Sequence, residues 1–427
     1  MINNSEFEYD LGVVGLGYVG LPLAVEASIQ GLNVIGYDIN SKRVEMINNG
    51  ISPIEDISND ELSNALEKFF STLDSNLLSK CKNIVISVPT PLTDYQPDLS
   101  YVITAAKTVG DNLVKNQVVI LESTTYPGTT IEVLIPNLES TSKLKAGVDF
   151  FVGYSPERID PGNKVWKFKN TPKVISGIND ISTEKIKNFY ESIIETTVLV
   201  KGTKEAEMVK LLENTYRHVN IALINELAII FNKLDVDTES VLEAARTKWN
   251  FLPFMPGLVG GHCIGVDPYY LTNKALQVGY HPEVILAGRR INDNMGSYIA
   301  DQVAKLMIKK GINLVDSNVL IMGFTFKENS TDLRNTGVAS MIAEFKSFHC
   351  KVDVFDPKAD KREALEEYNI ELVDKPAVGK YQAIVFAVAH DEFKELPIET
   401  VRSYAAKKHL LYDAKLLLDE NEADGRL

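Results

Sequence analysis

Over the first two hundred residues, short unbroken apolar runs alternate with stretches in which apolar positions recur every three or four residues. Residues 11–14 form the first run and enter Gly15-Leu16-Gly17-Tyr18-Val19-Gly20; residues 21–29 then carry helical spacing, and Gly31 supplies a stop. Residues 33–37 form a second run closed by Asp38, and residues 83–88, 118–121, 149–153 and 173–176 are further strand candidates. Helical stretches lie between them, including one over 183–193. Strands alternating with helices predict a parallel, doubly wound sheet, here over residues 1–203. The rhythm changes at residue 204. From there to about residue 235 the helical spacing runs on without Gly or Pro, which predicts one long helix, and another is predicted over 282–310. Residues 253–268 are dense in Pro and Gly and read as a loop between rigid elements, a common place for chemistry. Alternation resumes at 318, with strand candidates at 319–322, 351–355 and 383–388. The chain therefore divides into an α/β domain (1–203), an all-helical middle segment with its loop (204–310) and a smaller α/β domain (311–427).

Composition excludes several function classes. Hydrophobic residues make up 45% and charged residues 24%, a balance that supports a folded core and argues against disorder. A net charge of −14 repels phosphate polymers and anionic lipid, so neither nucleic acid nor a membrane is expected as a partner. Cys81, Cys263 and Cys350 are widely spaced without a C-x-x-C pair, which indicates neither a disulfide framework nor a metal site. Residues 1–10 are acidic and polar, and Glu, Asn or Lys breaks every longer apolar run, so a cytoplasmic location without signal peptide or membrane span is expected.

Three constellations carry candidate chemistry. Gly15, Gly17 and Gly20 lie after a strand and before a helix, where glycines permit a tight turn and let backbone amides approach a pyrophosphate. Asp38 ends the next strand at about the 20-residue spacing at which a carboxylate accepts ribose hydroxyls and repels a 2′-phosphate. Together they predict a Rossmann-like domain that binds NAD, although Arg43 is an arginine that could accept a 2′-phosphate. Cys263, within Gly260-Gly261-His262-Cys263-Ile264-Gly265, reads either as a nucleophile or as an inert loop cysteine; Cys81 and Cys350 flank β-rich runs and read as structural. Lys210 and Asn214 are four apart on the long helix and share a face that suits a developing alkoxide, although beside Glu205, Glu207 and Glu213 a solvated helix surface is the first reading. The expected fold class is α/β: two Rossmann-like doubly wound domains joined by a long central helix and an all-helical middle segment.

An ordered set of motifs narrows these readings. Gly15-Leu-Gly-Tyr-Val-Gly20, Val88-Pro-Thr-Pro91, Glu122-Ser-Thr-Thr-Tyr-Pro-Gly-Thr129, Ser155-Pro-Glu157, Lys210-x-x-x-Asn214, Pro256-Gly-Leu-Val-Gly-Gly-His-Cys263 and Phe326-Lys327 followed by Arg334 resemble the UDP-glucose/GDP-mannose dehydrogenase family, over about residues 10 to 420. The stretch from Trp249 to Leu271 is most similar to the bacterial UDP-N-acetylhexosamine (UDP-GalNAc or UDP-GlcNAc) 6-dehydrogenases, which make uronic acids for surface polysaccharides such as capsule and O-antigen.

The resemblance implies an NAD-dependent, four-electron oxidation of a sugar C6 alcohol to a carboxylate. Cys263 would trap the aldehyde as a thiohemiacetal, and a second oxidation would leave a thioester for water to cleave. Lys210 and Asn214 would stabilise the oxyanion, Asp267 with Thr124 would hold or deprotonate the water, and Glu157 would assist hydrolysis. NAD would meet Gly15, Gly17, Tyr18, Val19, Gly20, Asp38, Arg43, Pro89, Thr90, Ser123, Thr124 and Arg334. The UDP-sugar would meet Glu157, Arg158, Lys210, Asn214, Phe254, Pro256, Gly257, Gly260 and Lys327. Arg246 would correspond to an arginine supplied by the neighbouring subunit of a homodimer or larger homo-oligomer. Pro161 stands where many glucose-oxidising members carry a second glutamate, which turns the expectation from UDP-glucose toward an N-acetylated sugar. UDP-glucose, UDP-N-acetylmannosamine and GDP-mannose remain alternative substrates. An inactive nucleotide-sugar-binding protein and a two-electron hydroxyacid dehydrogenase are the readings from other classes.

Overall fold

A computed structural model describes residues 7–93, 96–159, 163, 165–419 and 421–427, without the side chains of residues 262–264. The chain folds into two compact units, Met1–Glu213 with Tyr269–Gly279, and Asn214–Pro268 with Tyr280–Leu427.

The first unit is built on β1 (Tyr9–Val14), β2 (Val34–Tyr37), β3 (Phe69–Thr72) and β4 (Cys81–Ile86), a small hairpin of β5 (Leu92–Thr93) with β6 (Gln96–Pro97), then β7 (Val118–Leu121), β8 (Phe151–Tyr154), β9 (Lys173–Gly177) and β10 (Thr197–Leu199). All but the hairpin form one sheet in the order β10-β9-β8-β7-β4-β1-β2-β3. Buried runs such as Leu11, Val13 and Val14 fill both faces, as expected of central strands covered by helices. The helices are α1 (Gly20–Ile29), α2 (Ser41–Asn48), α3 (Asn59–Ala65), α4 (Ser100–Asn112), α5 (Ile135–Ser142) and α6 (Asp180–Tyr190). Asn40 caps α2 by accepting the Arg43 N–H, and Ser58 with Glu61 forms a capping box on α3. The sheet is not wholly parallel as expected: β8 and β9 pair antiparallel, while the remaining ladders run parallel. No helix joins β8 to β9 among the described residues, and without a crossover the chain can return only in the opposite direction.

Four helices follow: α7 (Thr203–Lys233), α8 (Thr238–Arg246), α9 (His262–Gln277) and α10 (Glu283–Lys309). At 31 residues α7 is about 46 Å long. The predicted loop over 253–268 requires correction, because helix α9 starts at His262 and contains Pro268. Position 263 therefore lies in the first turn of a helix rather than in a loop. Buried Val266, Asp267, Tyr270 and Thr272 tie α9 down strongly enough to carry a proline that sequence reading takes as a stop.

The second unit carries an all-parallel sheet of β11 (Asn318–Met322), β12 (Lys351–Phe355), β13 (Tyr381–Phe386), β14 (Ala405–Asp413) and β15 (Gly425–Arg426), ordered β12-β11-β13-β14-β15. Met295, Ile299, Val303 and Met307, four apart on α10, join Val319 and Ile321 in one core, whereas Leu320 and Met322 face a second with Ile384, Phe386 and Val401. The alternation along β11 shows a sheet covered on both faces. Cys81 and Cys350 are buried free thiols, and burial pushes the Cys81 thiol up to about 12, so neither is poised to react. No helix among the described residues is long and apolar enough to cross a membrane.

Candidate active site

In the first unit the strand order reverses between β1 and β4, and loops leaving strand ends at such a switch point form a ligand crevice. Gly15 turns there with φ +93°, and a Cβ on it would lie 2.7 Å from the Ser87 carbonyl oxygen. A Cβ at Gly20 would lie 1.9 Å from the Gly15 oxygen, so α1 can close on β1 only without one. At Gly17 a Cβ would meet nothing within 4 Å. That open space, with a helix start to which Val19 offers no side-chain cap, fits a pyrophosphate laid across the turn. Tyr18 beside it is exposed and Val19 half-buried.

Asp38 braces this turn. Its Oδ2 accepts the Leu16 N–H at 2.8 Å and the Arg43 guanidinium at 3.0 Å, and its Oδ1 accepts the Asn40 N–H at 2.9 Å. Arg43 is thus already balanced by a carboxylate, which weakens it as a receptor for a 2′-phosphate and favours NAD. Neighbouring loops are tied in turn: the Ser87 hydroxyl donates to the Gly15 oxygen at 2.9 Å, the Ser123 hydroxyl to Val88 at 2.7 Å, and the Tyr270 hydroxyl to Thr90 at 2.8 Å. Pro89 is exposed, Thr90 buried and Thr124 half-buried. The NAD positions expected in this unit, from Gly15 to Thr124, therefore lie just beyond the carboxyl ends of the parallel strands β1, β2, β4 and β7.

Beyond β8 the chain places Glu157 in a buried, charged cluster. Its Oε1 accepts the N–H groups of Arg158 (2.8 Å) and Ile159 (2.6 Å), and its Oε2 lies 3.2 Å from Lys173 Nζ. Burial alone would raise this carboxyl; the Lys173 ammonium, the Ile159 N–H and the charge of Lys210 hold it below the usual carboxylate range. Lys210 is itself buried, although it stands on a helix also bearing exposed Glu205. Glu207, one turn earlier, accepts the Gly128 N–H at 2.5 Å and the Thr130 N–H at 2.8 Å, anchoring α7 to the segment that follows Thr124. Arg158 spans the Pro172 oxygen (2.7 Å) and the Glu213 carboxylate (2.7 Å), so its charge is already engaged.

In the second unit Asn214 Nδ2 donates to the fully buried carboxylate of Asp267. The Cys263 side chain lies outside the described residues; its backbone position is one turn before Asp267 along α9. Asn225 of α7 clamps Gly257 from both sides, donating to its oxygen at 3.1 Å and accepting its N–H at 2.8 Å, and donates to Asn292 of α10 at 2.9 Å. Gly257 needs this clamp at φ +145°, and a Cβ at Gly260 would lie 2.8 Å from the Asn335 oxygen. The Gly261 N–H donates to the Arg334 oxygen at 2.9 Å, so the glycine segment packs on the loop carrying half-buried Lys327. The Arg334 guanidinium grips Asp332, with Nε at 2.9 Å from Oδ1. Phe254 packs edge-on against Tyr216 with centroids 6.0 Å apart, and Pro256 is buried. Arg246 sits exposed at the end of α8 and reaches Met255 rather than the glycine segment. Pro161 lies outside the described residues.

Several groups that shape these sites were not singled out from sequence. Glu122 opens the motif over 122–129 with no role of its own evident in it, and Lys173 shows in the sequence only as a lysine opening an apolar strand run. Asn225, Asn292 and Glu207 give no local signal, since each acts on a segment distant in the chain.

Residues 9–197, 204–294 and 320–420 match, in order, the NAD binding, central and UDP binding domains of the UDP-glucose/GDP-mannose dehydrogenase family. The chain is 49% identical over 423 residues to a UDP-N-acetyl-D-glucosamine 6-dehydrogenase of Salmonella typhi, covering 98% of this chain and 99% of that one. It is 49% identical over 419 residues to the enzyme of the same name from Pseudomonas aeruginosa, again covering 98% and 99%. Among solved structures, a UDP-D-ManNAc dehydrogenase from Pyrococcus horikoshii is similar with a TM-score of 0.90 at 31% identity, covering 98% of both chains.

Proposed function

The chain belongs to the UDP-glucose/GDP-mannose dehydrogenase family, and from that premise we propose that it oxidises the C6 alcohol of a UDP-linked N-acetylhexosamine, UDP-N-acetylglucosamine foremost, to the uronic acid. The substrate reading is carried by the 49% identity, end to end, with relatives that bear that sugar in their names. The domains would be an NAD-binding domain over 1–203, a helical domain over 204–310 and a UDP-binding domain over 311–427.

Bound NAD would supply the hydride acceptor at each of the two oxidations. The rest falls to this chain. The Cys263 thiolate adds to the C6 aldehyde, and loss of the second hydride leaves a thioester. One water enters, its oxygen bonds to the carbonyl carbon, the C–S bond breaks and the carboxylate departs. Lys210 and Asn214, one turn apart on α7, donate to the oxygen that gains charge, where one preorganised donor is worth roughly 3 to 4 kcal/mol. Asp267, held by Asn214, and Thr124 hold the water, and Glu157, kept ionised, receives its proton. Lys327 and the segment Phe254 to Gly260, with Arg158, would hold the nucleotide sugar, and Arg334 the cofactor. Leu212, Tyr216, Leu223 and Ile230 form an exposed apolar stripe along α7, which supports a homodimer, with Arg246 offered to the partner's site.

The test is NADH yield per mole of limiting nucleotide sugar with NAD in excess. Two equivalents on UDP-N-acetylglucosamine, with no uronic acid formed by Cys263→Ala, is the expected result. Two on UDP-glucose alone would overturn the substrate, and a single equivalent would overturn the thioester route in favour of a two-electron dehydrogenase.

A further inference from the structure

Lys173 opens strand β9, yet only 3% of it is exposed. Its Nζ lies 2.8 Å from Glu122 Oε1 and 3.2 Å from Glu157 Oε2, and 5.4 and 5.6 Å from the ring centroids of Tyr190 and Phe168. The Tyr190 hydroxyl donates to the same Glu122 oxygen. An ammonium, two carboxylates and a phenol are thus sealed together just beyond the ends of β7 and β8, where β9 begins. Stability does not account for them, because apolar side chains of similar volume commonly replace a buried ion pair without loss.

Glu157 shows what the cluster does. A carboxylate offers about four lone-pair positions. Among the described residues two are taken on Oε1, by the N–H groups of Arg158 and Ile159, and one on Oε2, by Lys173. The remaining position on Oε2 lies on the oxygen that Lys173 fixes. We propose that Lys173 is a positioning residue for thioester hydrolysis: its ammonium, held from behind by Glu122, keeps Glu157 an aimed carboxylate that accepts a proton from the attacking water. The inference rests on Glu157 serving that step. In it a water O–H bond breaks, the proton goes to Glu157, the oxygen bonds to the thioester carbon and the Cys263 thiolate leaves.

The groups facing Glu157 are Lys173 from β9, Glu122 from the segment after β7, Tyr190 from α6 and Lys210 from α7; Arg158, on its own segment, is taken by Glu213. Burial raises Glu122 above its ordinary range while Lys173 draws Glu157 below its own. The two carboxyls are driven apart, and Glu157 is the one whose charged form the cluster favours.

The test reads the Glu157 carboxyl directly, from the 13Cδ resonance of glutamate-labelled protein that disappears in Glu157→Gln. Lys173→Met should raise its midpoint by about 1 to 3 pH units, with the acid limb of kcat for two-NADH turnover moving by the same amount and KM for the nucleotide sugar little changed. Lys173→Arg should restore both, and Glu122→Gln should raise neither. Where Lys173→Met does not fold, the double variant Lys173→Met/Glu122→Gln retains a single buried carboxylate of the pair and must show the raised midpoint. A midpoint that stays put, an acid limb that fails to follow it, or a Glu122→Gln variant shifted as far as Lys173→Met would overturn the proposal. Wild-type protein that yields no NADH from any of these sugars would instead overturn the functional reading, and the hydrolytic role with it, whatever the titration gives.

Discussion

After β1 the chain turns at Gly15 with φ +93°, and after β11 it turns at Gly323 with φ +99°. In both places an aspartate ending the adjacent strand accepts N–H groups just beyond the glycine: Asp38 that of Leu16 at 2.8 Å, Asp356 those of Phe324 at 2.6 Å and Thr325 at 3.1 Å. The surroundings differ. Asp38 also holds Arg43, whose side chain is 35% exposed, so a ligand hydroxyl can compete for the carboxylate. Asp356 is saturated, with Lys358 and Ala359 N–H groups on Oδ1 (2.7 and 3.0 Å) and His390 Nε2 at 3.0 Å from Oδ2. His390 Nδ1 accepts the Asn329 N–H at 3.0 Å, which turns the other ring nitrogen, Nε2, toward Asp356. On the function proposed above, one device thus serves recognition in the first unit and architecture in the second. Asp356 and His390 instead hold the loop on which Lys327, proposed above to meet the nucleotide sugar, sits.

The comparison is broken most directly by removing each aspartate. Asp356→Ala strands His390 and the Phe324 and Thr325 N–H groups in the interior, frees those of half-buried Lys358 and Ala359, and should cost about 3 to 5 kcal/mol in chemical denaturation. Asp38→Ala should cost markedly less and act mainly on NAD affinity. Equal losses of stability would show that both carboxylates are structural.

Acid sharpens the same contrast. Burial works against the Asp356 carboxylate, but the hydrogen bond from His390, with those from the Phe324 and Lys358 N–H groups, holds it at about 2. A folded-state value below the ordinary 3.8 means stability that is complete above pH 4 and lost as pH falls toward 2, about 2 kcal/mol in all. Asp356→Asn should flatten that part of the unfolding-versus-pH curve; an unchanged slope would remove Asp356 as its source.

The glycines sharpen it further. A Cβ at Gly323 would lie 2.5 Å from Val388 Cβ, whereas one at Gly17 meets nothing within 4 Å. Gly323→Ala should therefore lower the melting temperature. Gly17→Ala should leave it unchanged and weaken NAD at least about tenfold, roughly 1.4 kcal/mol. Undiminished NAD binding by Gly17→Ala would place the pyrophosphate elsewhere.

How far the sequence foretold this depends on the range of each signal. The turn at Gly15 with Asp38 was legible because glycine spacing and strand ends are local, and α7 because its apolar spacing runs on without Gly or Pro. Helix α9 was hidden, since Gly260, Gly261, Gly265 and Pro268 read as breakers and only burial of Asp267 and Tyr270 overrides them. The antiparallel β9 had an available signal in Pro156, Pro161, Gly162 and Pro172, which leave no room for a crossover helix. Lys173 with Glu122, and Asp356 with His390, pair across strands distant in sequence, which no local pattern encodes.

The smallest effect is expected at Arg43, and it discriminates between two uses of one guanidinium. As a half-exposed partner of Asp38 its ion pair is worth under about 1 kcal/mol, so Arg43→Ala should barely change stability or NAD affinity. NADP should remain a poor substitute in that variant, because Asp38 still repels a 2′-phosphate. Asp38→Ala reverses the logic by removing the repulsion and releasing Arg43, so NADP use should rise there and fall again in the double variant. Cofactor preference that follows Arg43 regardless of Asp38 would mean that the arginine, and not the aspartate that also braces the glycine turn, reads the ribose.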